Sequence, residues 1–143
     1  MSGYTFTAGY GQTVQATVRA ISNAGVLGAP SAASSGTVVL DPAGDQDGDG
    51  TSNAAEEIAG TNPLSGASVF KIIAAARPDA STVQLTWSSA PGIQYEVLAT
   101  TGLALPFSNI SGPTAIPATG AATNYTDNAA GGRKFYKIRV VAP

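Results

Sequence analysis

Apolar and polar positions alternate in several short runs of the chain. Across residues 13–21 the alternation is strict and puts Val14, Ala16, Val18 and Ala20 on one face, the period of a half-buried strand. A short strand at 4–7 and a turn at Ala8-Gly9-Tyr10-Gly11 precede it. Ser22-Asn23-Ala24-Gly25 turns the chain afterwards, and 36–40 reads as another strand. An apolar strand reads at 69–74, and the two-residue period returns at 82–88, where Val83, Leu85 and Trp87 face inward. Ala90-Pro91-Gly92 turns into a strand at 93–99. The Pro/Gly/Ser-rich stretch 102–122 holds short strands at most, and 124–127 leads through a Gly-Gly turn to a last strand at 134–141. One run departs from this period: 52–59 is rich in helix formers, Gly60 stops it, and Thr61-Asn62-Pro63 cannot continue it. The pattern predicts an all-β protein in three parts: a β segment at 1–41, a loop, short helix and linker at 42–65, and a β-sandwich at 66–143.

Composition narrows the chemistry. Of 143 residues only 11% are charged, and small and hydroxylated residues fill much of the chain. With no Cys there is no disulfide, thiol nucleophile or thiolate metal site, and with no His the commonest general base is missing. An enzyme is not expected. No run approaches the ~18 apolar residues of a membrane helix. Met1-Ser2-Gly3-Tyr4-Thr5 lacks the basic start and apolar block of a signal peptide, so an exported form is expected to be a processed piece. Four of the seven bases (Arg133, Lys134, Lys137, Arg139) lie near the C-terminus without making a broad patch, and no nucleic-acid partner is expected.

The acids are concentrated: Asp45, Asp47, Asp49, Glu56 and Glu57 are five of the nine. Asp45, Asp47 and Asp49 alternate and Gly50 follows. In a twelve-residue calcium loop, side chains at positions 1, 3 and 5 are ligands, a Gly at 6 turns the chain, position 7 offers its carbonyl, and a carboxylate closes the site at 12. Counted from Asp45, those later slots hold Gly50, Thr51, Asn53 (position 9) and Glu56. Asp45, Asp47, Asp49, Thr51, Asn53 and Glu56 are therefore the expected metal ligands. An all-oxygen set of this size favours Ca²⁺ over Mg²⁺. The plainer alternative is an acidic, Gly-rich surface turn, but three carboxylates so close repel one another unless a cation sits among them.

Only the exiting helix of a helix–loop–helix hand is present. In this the stretch resembles the single-helix calcium loops of dockerins and thrombospondin type 3 repeats. More closely, the run from Asp47-Gly48-Asp49-Gly50 through Asn53 and Glu56 to Gly60-Thr61-Asn62-Pro63 resembles a linker that precedes a β-sandwich in large secreted bacterial proteins. That resemblance implies a structural calcium site and an immunoglobulin-like sandwich for 66–143. Val18 to Ser31 resembles the penultimate strand and following loop of a fibronectin type III domain, which implies a partial domain of three strands at 1–41.

Both β parts thus read as unfinished, the first lacking early strands and the second a last one. The expectation is an extracellular, calcium-stabilised structural module of a bacterial surface or matrix protein, its ion fixing the angle between the β parts. Subunits could complete one another's sheets head to tail, as a homo-oligomer or filament. The alternative is a carbohydrate-binding or adhesive appendage of a larger secreted enzyme, with glycan stacking on Trp87, Tyr95, Phe135 or Tyr136. Trp87 and Tyr95 sit in phase with Val83, Leu85 and Val97, however, which predicts a core role. Asn109-Ile110-Ser111 and Asn124-Tyr125-Thr126 match the N-glycosylation acceptor pattern, which also arises by chance.

Overall fold

In a computed structural model that describes residues 7–129 and 132–141, the strand with the clearest alternation lies where its sequence puts it. Thr82–Ser88 is buried at Leu85 and Trp87 and half-buried at Val83, while Gln84 is exposed. Each strand is numbered in chain order: β1 (Thr13–Val14), β2 (Arg19–Ile21), β3 (Leu27–Pro30), β4 (Thr37–Val38), β5 (Ile72–Asp79), β6 (Thr82–Ser88), β7 (Gln94–Thr100), β8 (Ser108–Asn109), β9 (Ile116–Pro117), β10 (Ala122–Asn128) and β11 (Phe135–Val141). The one helix among the described residues, α1 (Asn53–Ala59), falls between β4 and β5. Apart from this helix the described residues are all-β, and every strand pair among them is antiparallel. No helix of the described residues is long and apolar enough to cross a membrane.

The chain divides into two units, Met1–Gly44 and Asp45–Pro143. The acidic loop and α1 therefore belong with the C-terminal strands. That unit is sandwich-like: β6 is central in a sheet ordered β10-β6-β5, and β7 is central in a sheet ordered β11-β7-β8, with β9 also pairing β7. The core lies between them, where Leu85 and Trp87 of β6 meet Tyr95 and Val97 of β7 and Ile138 of β11. The Trp87 and Tyr95 rings meet edge to face, centroids 5.7 Å apart, and Phe70 stacks on Tyr95 at 5.6 Å. Such pairs add about 0.5–1.5 kcal/mol beyond burial. Trp87 and Tyr95 are fully buried, so neither offers a face to a sugar.

β5 starts later and ends later than the sequence suggests, and side-chain hydrogen bonds account for both limits. Lys71 N–H donates to Ser88 Oγ at 2.8 Å and Ser88 Oγ–H donates to the Val69 carbonyl at 2.8 Å, while Ser88 N–H donates to the Lys71 carbonyl at 2.9 Å, so a side chain takes over part of the ladder at residues 69–71. At the other end Asp79 Oδ1 accepts from the Ser81 backbone at 2.8 Å and closes the turn into β6. All eight residues of β5 are exposed.

The N-terminal unit departs further from its pattern. The strand expected at 4–7 lies, but for Thr7, outside the described residues. Residues 13–21 form two short strands, not one: β1 pairs β4, and β2 pairs β3. Between them the ladder passes through serines, with Ala16 N–H donating to Ser34 Oγ at 2.9 Å and Val18 N–H to Ser31 Oγ at 3.0 Å. A hydroxyl replacing a carbonyl satisfies the donor but interrupts the strand. The β2–β3 hairpin, read in sequence as strand and loop, turns at Gly25, where φ is +74°. Within 7–44 no residue is buried, and Val18 of the predicted inner face is 72% exposed.

Candidate metal centre

The loop leading into α1 is built from backbone turns that the acids themselves cap. Asp45 accepts from Gly48 N–H through Oδ1 and from Gly50 N–H through Oδ2, both at 2.9 Å. Asp47 Oδ1 accepts from Asp49 N–H at 3.2 Å, and Asp49 Oδ1 from Thr51 N–H at 2.8 Å. Gly48 and Gly50 take φ of +77° and +93°, a region open to glycine at little cost, and this lets successive acids turn to one side. Ser52 then caps α1 by accepting from Ala55 N–H at 3.4 Å.

The result is a carboxylate cluster. One ligand oxygen from each of Asp45, Asp47 and Asp49 lies within 4.8 Å of the others. Oxygens facing each other across a Ca²⁺ stand up to about 5 Å apart, twice the Ca–O distance. While one oxygen of Asp47 and of Asp49 holds the loop, the second (Oδ2 in each) is buried with no hydrogen-bond partner among the described residues.

Glu56 adds a third oxygen of this kind. It lies on the first turn of α1, is fully buried, and has Oε2 without a partner among the described residues. Its Oε1 accepts from Thr61 Oγ–H at 3.1 Å, and Thr61 N–H donates to the Glu56 carbonyl at 3.0 Å. Burial raises the Glu56 pKa above its ordinary value of 4.5. The Thr61 hydrogen bond opposes the shift, and the charges of Asp47, Asp49 and Asp45 add to it. An anion buried beside other anions is held at a net loss unless a cation shares its field.

Three of the six expected ligands, Asp45, Asp47 and Asp49, converge in this way, and Glu56 stands near enough for their charges to raise its pKa. Thr51 sits next to them on the loop, its N–H on Asp49. Asn53 is buried, and its Oδ1 accepts from Gln46 N–H at 3.2 Å, so that oxygen already closes the loop on itself. Two supporting residues were missed by counting ligand positions. One is Thr61, which orients Glu56, and the Gly-Thr-Asn-Pro run was its signal. The other is Gly66, where an added Cβ would stand 3.6 Å from the Asp49 Cβ and 3.7 Å from the Asp47 carbonyl; nothing in the sequence marks that packing.

The helix is joined to the sandwich at its C-terminus. Gly60 ends α1 with φ of +72°, and a Cβ there would stand 2.6 Å from the Ala90 Cβ at the turn between β6 and β7. Searches against protein-family models, curated proteins and solved structures find no match.

Proposed function

We propose that the chain is an extracellular, calcium-stabilised structural module, in which one Ca²⁺ holds the 45–56 loop and α1 in place. The observation that carries this reading is the set of three buried carboxylate oxygens (Asp47 Oδ2, Asp49 Oδ2 and Glu56 Oε2) without donors among the described residues. A hard divalent cation is the partner that an all-oxygen set of this kind suits. Ion binding would add to folding stability, since the unfolded loop has no assembled site. An extracellular setting fits because weak calcium loops fill only where the ion is plentiful. A bacterial surface or matrix protein as the parent rests on the resemblance of the loop and its Gly-Thr-Asn-Pro exit to secreted linkers.

Thermal unfolding with and without calcium tests this. A ligand at 100-fold excess over its Kd stabilises by about 2.7 kcal/mol, on the order of 10–20 °C for a unit of about 100 residues. Calcium is expected to raise the transition by such an amount and magnesium by much less. Equal transitions in calcium and in chelator contradict the reading.

A second reading, assembly of chains through shared sheets, is favoured by the exposed apolar residues of the N-terminal unit, among them Val18, Ile21, Val26 and Leu27. Its measurement is sedimentation in millimolar calcium. Concentration-dependent growth supports it, and a monomer at all concentrations removes it.

A further inference from the structure

On the C-terminal unit, away from the acidic loop in sequence, a cleft of about 560 Å³ is lined by β5, β6 and the start of β11. Ala75, Ala76 and Val83 make part of its lining apolar, and Tyr136 adds an aromatic ring. Arg77, Arg133 and Lys134 also line it. These are three of the seven bases in a chain whose formal net charge is −2, so the cleft is locally of the opposite sign to the molecule.

Asp127, which contacts two of the lining residues, is already engaged. Asp127, buried on β10, accepts from Lys134 Nζ at 2.7 Å and from the Tyr136 hydroxyl at 2.8 Å, through the same oxygen. Burial, followed by that hydrogen bond, pushes the Tyr136 phenol up to about 12, so it stays protonated and brings no negative charge. The two arginines are exposed and only lightly engaged: Arg77 gives one N–H to the Ala80 carbonyl at 3.0 Å, and the Arg133 guanidinium lies 5.6 Å above the Phe135 ring. A guanidinium carries its donors as a planar fork that matches a carboxylate.

We propose that this cleft binds a uronic-acid residue of an acidic polysaccharide, with Arg77 and Arg133 taking its carboxylate and the apolar part of the lining, with Tyr136, taking a face of the sugar ring. A partly apolar lining beside one aromatic ring suits the C–H face of a pyranose. A few charged groups at the rim of an apolar pocket are what fix a ligand's orientation. The site stands apart from the calcium reading and does not depend on it.

The test is calorimetric titration of the whole chain, at fixed calcium, with digalacturonate, galactobiose, acetate and a short glutamate-containing peptide. Digalacturonate is expected to bind about tenfold or more tighter than either galactobiose or acetate, the worth of one charge-assisted hydrogen bond. Arg77→Ala and Arg133→Ala should each weaken it about fivefold or more with the thermal transition unchanged, since both residues are exposed, and Lys71→Ala, outside the cleft, should leave it alone. Equal binding of galactobiose or acetate overturns the proposal. So does tighter binding of the peptide, indifference to both arginine variants, or no saturable binding of digalacturonate at millimolar concentration.

Discussion

Glu56 is the residue on which the account turns, because its environment makes opposite demands with and without an ion. Its carboxylate is fully buried, one oxygen on Thr61 and the other unpartnered among the described residues, beside three aspartates. In chelator, Glu56→Gln removes a buried charge and is expected to raise the melting temperature. In calcium it removes a ligand and is expected to lower it, and a shift of the same sign in both conditions contradicts the assignment. The pH dependence should split the same way. With the folded pKa raised above 4.5, the stabilising contribution of Glu56 in chelator is full below about pH 4.5 and is lost as pH rises through the raised value. In calcium, acid protonates the ligands and releases the ion, so stability falls as pH falls. Melting curves from pH 4 to 7 in the two conditions should therefore slope in opposite directions. The place of Glu56 on the first turn of a helix after the acidic run was legible in the helix formers of 52–59. Its support by Thr61 was not, since a helix has to end before Thr61 can turn back onto Glu56.

Among the elements, α1 and its cap Gly60 connect the loop to the sandwich. Gly60→Ala meets two obstacles, a left-handed φ of +72° and an Ala90 Cβ at 2.6 Å. The strain and the clash together are expected to destabilise the C-terminal unit by roughly 2–4 kcal/mol. A loss below about 1 kcal/mol in denaturant titration would mean that the helix end is not seated there. Gly60 could be read as a stop signal from sequence, but its contact with Ala90 joins segments 30 residues apart and has no local trace. Strands were legible where burial enforces the period, as in β6, whose Leu85 and Trp87 have a partner sheet to face. They were not legible where side chains do the backbone's work: Ser88 sets the start of β5, and Ser31 and Ser34 interrupt the run from Thr13 to Ile21. The arginines of the basic cleft come from opposite ends of the sandwich sequence, so only the pairing of β5, β6 and β10 brings them together.

At the scale of the molecule the two units differ in what holds them. The C-terminal unit buries Trp87, Tyr95, Leu85 and Val97 between two sheets, whereas residues 7–44 bury nothing and are stitched by backbone and serine hydrogen bonds. Local stability follows buried apolar contact. Amides of β2 and β3 should exchange with deuterium orders of magnitude faster than those of β6 and β7, and equal protection would show that the N-terminal unit is covered in solution. The sequence made both β parts look alike because alternation reports a face suited to burial, not whether anything covers it. The central claim, one structural Ca²⁺ in the loop, is most directly tested by calorimetric titration of the chelator-treated chain with calcium. The account predicts saturable binding of one ion per chain, tighter than magnesium and weakened about tenfold or more in Glu56→Gln. No saturable binding at millimolar calcium, or binding that Glu56→Gln leaves unchanged, would contradict it.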